Sequence, residues 1–217
     1  MGSCNCQDAA SSIGASRDRE RRRVLWVVLL LNAALFVGEF GAGLWARSSA
    51  LQADSLDGLG DALVYALSLM VVGESLRQRA GAALAKGLVM AMFGLVVMAG
   101  IVHRAIHGSE PLAPVMAVAA TVALVVNLAC FALLYRFRAD DVNMRSVWLC
   151  SRNDIVNNAG VLVAAGAVTL LGSRWPDIAV GALVAALFLH TAFGVIRESW
   201  PLWRGHGSDL AARWSRV

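Results

Sequence analysis

Three carboxylates fall close together at Asp54, Asp57 and Asp61, with long apolar sequence on either side. Asp57 and Asp61 are four apart, so on a helix they stand on one face about one turn from each other. Asp54, three before Asp57, lies near that face. Crowded carboxylates repel and need a proton or a cation between them. A divalent cation meets that need, and its other ligands must come from a second helix. The phrase Trp148-Leu149-Cys150-Ser151-Arg152-Asn153-Asp154 supplies a thiol and a carboxylate, again four apart. Asp57, Asp61, Cys150 and Asp154 then offer three carboxylates and one thiol. Four ligands is the usual count for zinc, and a thiolate favours zinc-group metals over manganese or magnesium. Zinc or cadmium is the expected ion.

The elements that carry these residues are bilayer-crossing helices. Of 217 residues, 58% are hydrophobic and only 16% charged, against about 45–50% and about 25% in a soluble domain. Apolar runs of about 20 residues, each long enough to cross a bilayer, recur along the chain. Six spans are predicted, near 24–46, 51–76, 84–103, 112–135, 144–171 and 177–197. Polar or breaker-rich connections separate them at 46–49, 77–81, 107–111, 136–141 and 172–177. The fold class is thus an all-α integral membrane protein: a flexible segment 1–23, a six-helix domain 24–198 and a short tail 199–217. Arg17 to Arg23 precede the first span like a signal-peptide n-region. The apolar stretch that follows is too long for an h-region, so an uncleaved helix is expected.

Placing the N-terminus in the cytoplasm puts nearly all of the 19 Lys and Arg on that side. Only Arg47, Arg104 and Arg174 lie on the other, and Arg152 falls inside a span. This bias fixes both termini as cytoplasmic. It also explains the net charge of +4 without nucleic acid. The four cysteines are too scattered for a disulfide framework. The tail, with Trp200, Trp203 and Trp214 among arginines, reads as an interfacial segment.

At these residues the chain resembles the cation diffusion facilitators, six-helix antiporters of divalent metal and protons. Ala53-Asp54-Ser55-Leu56-Asp57-Gly58-Leu59-Gly60-Asp61 is similar to that family's second-span phrase, and Cys150 to Asp154 with Gly160-Val161 to its fifth-span phrase. Glu39 and Gly43 are similar to the family's first helix and loop. Asp57 and Cys150 stand where the family usually has histidine. The family's cytoplasmic domain after the sixth span is expected to be missing, giving a short form. The resemblance implies a multi-pass protein of the cell membrane, in bacteria the inner membrane, and a homodimer. It implies a metal carried as substrate against protons, no organic cofactor and no enzymatic reaction.

Other readings attach to the same residues. Gly58-Leu59-Gly60-Asp61 has the GxGD form of intramembrane aspartyl proteases, with Asp154 as the second acid. That family's partner aspartate precedes the GxGD helix, whereas Asp154 follows it, and the reading leaves Asp57 and Cys150 idle. A passive metal channel or a sensor needs no proton coupling. Among the remaining groups, Cys4 and Cys6 offer soft ligands in a tail, and Cys130 reads as packing. His103 and His107 stand where released metal emerges. Arg152 is expected to pair with Glu39 or an acid of span two. Asn32 and Glu39, seven apart, face the bundle interior as gating or hydrogen-bonding groups.

Overall fold

A computed structural model describes the backbone of residues 6–70, 76–137 and 142–204, with side chains over 19–64, 80–137 and 151–204 and at 66, 77, 78 and 148. Six helices follow one another: α1 (Cys6–Trp45), α2 (Ser49–Met70), α3 (Leu76–His107), α4 (Ala113–Tyr135), α5 (Val142–Leu171) and α6 (Trp175–Trp203). Five of the six predicted spans fall on one helix each to within a residue; the second, 51–76, runs beyond the end of α2 at Met70, and the connection expected at 77–81 is instead the start of α3. α1 reaches back to Cys6, into the segment composition marks as flexible; the run 17–23, with five arginines, is a good helix former. Arg136, just past α4, holds that run in place by donating to both carboxylate oxygens of Glu20, at 2.5 and 3.2 Å. α6 likewise continues through 199–203, residues assigned to the tail. The rest of the tail from 205, with Trp214, lies outside the described residues, as does the α2–α3 connection at 71–75.

Among the described residues, α1, α3, α4, α5 and α6 are long and apolar enough to cross a bilayer. α2 carries three aspartates within its described length. It is the helix the others surround, packing on α1, α3, α5 and α6. Its aspartates are thereby kept from lipid: Asp54 and Asp61 are buried and Asp57 is partly buried. The outward faces are apolar, as lipid requires, with Val37, Ile106, Val163 and Leu170 exposed.

Two apolar clusters flank α2. On one side Ala53 and Leu56 meet Met90, Val97 and Ile101 of α3 and Val184, Ala185 and Phe188 of α6. On the other, Ala50 and Leu51 meet Met116 and Ala120 of α4 and Val161, Ala164 and Ala165 of α5. A third cluster, with Leu25, Val28, Leu134 and Phe137, encloses Cys130, which is packing as its sequence context suggests. The close fit depends on glycine where helices touch backbone to backbone. A Cβ on Gly181 would stand 2.6 Å from the Ser49 carbonyl carbon and 2.8 Å from the Ala50 nitrogen. Gly58 serves α1 in the same way, its Cβ position lying 3.2 Å from the Asn32 carbonyl oxygen. Gly94 is used inside the chain, against Leu189 and Phe188.

Gly181→Val should therefore force α6 away from the start of α2. Overpacking of this kind costs about 1–3 kcal/mol. The detergent-solubilised variant should melt well below wild type, whereas Gly166→Ala, at a position whose Cβ meets nothing within 4 Å, should melt with it.

Candidate functional site

A cavity of about 360 Å³ lies between α2, α3, α5 and α6. Asp57, Gly60, Asp61 and Val64 line it from α2, and Asn153, Asp154, Val156 and Asn157 from α5. Lys86 and Met90 of α3 and Phe188 and Thr191 of α6 complete the wall. Three of the four predicted ligands thus share one cavity. The fourth, Cys150, is one helical turn before Asp154 on α5, and its side chain lies outside the described residues.

The acids within the cavity are paired. Asp61 and Asp154 face each other, carboxyl to carboxyl, across the α2–α5 boundary. Two carboxyl groups in contact need a proton or a cation between them. Asp57 accepts a hydrogen bond from the Asn157 amide nitrogen. Among the described residues, no three Asp, Glu, His or Cys side chains are drawn together tightly enough to hold one ion. The i, i+4 spacing brings the aspartates to one cavity, where Asp61 faces Asp154 and Asp57 accepts from Asn157.

Asp54 lies about two turns before Asp61 on nearly the same face of α2. It meets Glu39 of α1, carboxyl to carboxyl, beside Asp57 and Asp154. Arg152 is exposed, so the expected ion pair with Glu39 is replaced by this carboxyl–carboxyl contact. The reason is helical phase: Arg152, two residues before Asp154, points about 200° away from it. His103 and His107 are exposed and stacked, with ring centroids 4.3 Å apart. Cys4 lies outside the described residues, as does the side chain of Cys6.

The end of the bundle near Ser49 is closed by a group that sequence reading passed over. Asp177, fully buried in the first turn of α6, caps the start of α2. Its carboxylate accepts from the Ser48 hydroxyl at 2.6 Å, the Ser49 N–H at 2.7 Å and the Ala50 N–H at 3.0 Å. The Ser48 hydroxyl in turn accepts from the Leu51 N–H at 3.1 Å. Arg104 donates to the Ser49 hydroxyl at 3.4 Å. These bonds satisfy backbone donors that a helix start leaves open. The cavity lies away from this cap, with Val64 late in α2, Lys86 early in α3 and Thr191 late in α6. An aspartate following Pro176 reads locally as a cap for its own helix, so only the tertiary arrangement reveals its partner. Asn157 did have a signal: it is three after Asp154, hence on the same face.

Residues 25–202 match the cation efflux transmembrane domain. The zinc transporter ZitB of Yersinia pestis is 25% identical over 200 residues, covering 85% of this chain and 63% of that protein. The same protein of Yersinia pseudotuberculosis matches equally well. The zinc transporter ttm-1 of Caenorhabditis elegans is 24% identical over 213 residues, 84% of this chain and 52% of its own length. The chain therefore aligns with about half to two thirds of the length of these relatives.

Loss of the α2 cap has a local readout. Asp177→Asn keeps one acceptor and removes the charge, a loss of about 1–2 kcal/mol for a capping interaction. Hydrogen exchange at the Ser49 and Ala50 amides should accelerate about tenfold or more, with exchange in the middle of α4 unchanged.

Proposed function

This chain belongs to the cation efflux family, and from that premise we propose that it exports a divalent metal ion, zinc before cadmium, in exchange for protons. The observation that carries the reading is the Asp61–Asp154 contact, which joins α2 to α5 at the wall of a cavity wide enough for an ion and its water. An ion entering there replaces the proton between the two carboxyls. Asp57 turns from Asn157 to the ion, and Cys150 supplies the thiolate one turn from Asp154. Metal binding and proton release are then one event, because carboxylate and thiolate bind metal only when deprotonated. The relatives' identity as zinc transporters supports the choice of metal. So does a ligand set with one soft donor.

The transport cycle follows from the two ends of α2. The Asp177 cap and the Gly181 contact hold one end shut while the cavity lies toward the other, as an inward-facing carrier requires. Rocking of the helices past α2 would break the cap and present the acids to the outer side. There, protons compete for Asp61 and Asp154 and release the metal. A passive channel has no use for a proton seated at the ligands. The GxGD protease reading also makes use of the Asp61–Asp154 contact, but the family match over residues 25–202 speaks for transport. A homodimer is the expected assembly. Gly38 and Gly41, whose Cβ positions meet nothing within 4 Å, leave an open face on α1 for a second copy.

In inside-out vesicles, zinc uptake should dissipate an imposed proton gradient. Loss of a group that merely orients a metal ligand costs about 10–100-fold, so Asp61→Asn and Asp154→Asn should each lower uptake by more than that. Wild-type uptake in either variant would remove the site. Asn157→Ala, which frees Asp57, should cost about 10–100-fold. Cys150→Asp should shift preference from cadmium toward manganese, and an unchanged order of metals would show that the thiol is not a ligand.

A further inference from the structure

The end of the bundle that carries the Asp177 cap also holds a pocket of about 460 Å³, between the α3–α4 and α5–α6 connections. Ser109, Glu110, Leu112, Pro114, Thr169 and Arg174 are among the residues that line it, and none of them borders the transport cavity. Arg174 is half-buried, and its guanidinium is held by packing. It lies over the Trp175 ring, 5.7 Å from the centroid. It also lies against Gly108, where a Cβ would stand 3.1 Å from Nη1. Gly108 has φ 90°, so the turn and the close approach both require a glycine there. The Arg174 Nε and the Ser109 Oγ are buried without a hydrogen-bond partner. Among the described residues, Arg174 and Glu110 line the same pocket and form no ion pair.

A guanidinium donates from every nitrogen and its planar fork matches a phosphate. The starts of α4 and α6 border the same pocket, at Leu112 and Arg174, and neither has a side-chain cap. Each adds partial positive charge there. Glu110, which is exposed, sets a carboxylate at the same pocket. A simple anion would be repelled by Glu110 and a simple cation by Arg174. A zwitterion, negative at one end and positive at the other, engages both. The position of the pocket says what carries such charges. Leu170 and Leu171, 86% and 69% exposed, run up to its rim at Gly172, and Trp175 stands exposed beside it. Lipid-facing residues that end at a tryptophan mark the level where hydrocarbon gives way to headgroups.

We propose that this pocket binds a phospholipid whose headgroup carries a phosphate and a primary ammonium, as in phosphatidylethanolamine. Arg174 and Ser109 donate to the phosphate, and Glu110 accepts from the ammonium. Leu112 and Pro114 give the glycerol end an apolar wall. The bound lipid bridges the connection between α3 and α4 to that between α5 and α6. The site does not depend on which metal, if any, the transport cavity carries.

The test is native mass spectrometry of the purified full chain in detergent, titrated with phosphatidylethanolamine or with phosphatidylglycerol, whose headgroup has the phosphate but no ammonium. Wild-type protein should retain about one phosphatidylethanolamine per chain in preference to phosphatidylglycerol. Arg174→Gln should weaken retention of both lipids about tenfold or more. Arg47→Gln, which removes the same charge from the same end of the bundle outside the pocket, should leave retention unchanged. Glu110→Gln should abolish the preference for phosphatidylethanolamine while phosphatidylglycerol is held at least as well as before. Should Arg174→Gln fail to purify as a single species, Glu110→Gln carries the test alone. Wild-type protein that does not distinguish the two lipids overturns the proposal. So does an Arg174→Gln variant that retains them fully, or a Glu110→Gln variant that keeps the wild-type preference. Excess inorganic phosphate should fail to displace the lipid; displacement would make the pocket a site for free phosphate and overturn the lipid assignment.

Discussion

Five carboxyl groups are withdrawn from water around a single helix, and the rest of the bundle is arranged so that none of them faces lipid. An acid at the centre of a span costs roughly 2.5–3.5 kcal/mol on the insertion scale. Here Glu39 is met by Asp54, Asp61 by Asp154, and Asp57 by Asn157. Two of these three contacts set acid against acid, so a proton or a cation is needed between them. A basic partner would fix the acids permanently in their charged form. A proton can leave, and an ion of greater charge can take its place.

This constraint explains why α2 is central. It carries three of these acids and is walled in by apolar clusters on both flanks. Glycines at 58 and 181 let α1 and α6 approach its backbone directly. Its start is pinned by a carboxylate from α6, the helix that also lines the cavity further along. The pinned end and the acidic middle are thereby mechanically joined: α6 cannot tilt without changing both.

Much of this was legible in the sequence. Apolar run length pointed to the helices, since the bilayer imposes one length on every span. The four-residue spacing of Asp57 and Asp61 put both on one cavity, because helical periodicity is local. What escaped was non-local. Asp54 belongs to Glu39 on another helix, and Arg152 points outward, two residues from an inward-facing Asp154. Asp177 bonds to Ser48, Ser49 and Ala50, far away in sequence, and no local pattern encodes that. Asn127 and Asn158 look like ordinary polar interruptions of apolar spans until four helices bring them to one small chamber beside Asp154.

The central claim is that the Asp61–Asp154 proton gives way to a metal ion. Proton release measured on adding zinc to the purified protein in weak buffer tests it directly. The account predicts protons released in proportion to zinc bound, with the release reduced in Asp154→Asn, where the shared proton is absent. Zinc that binds with no proton release, or with the same release in wild type and Asp154→Asn, would contradict it.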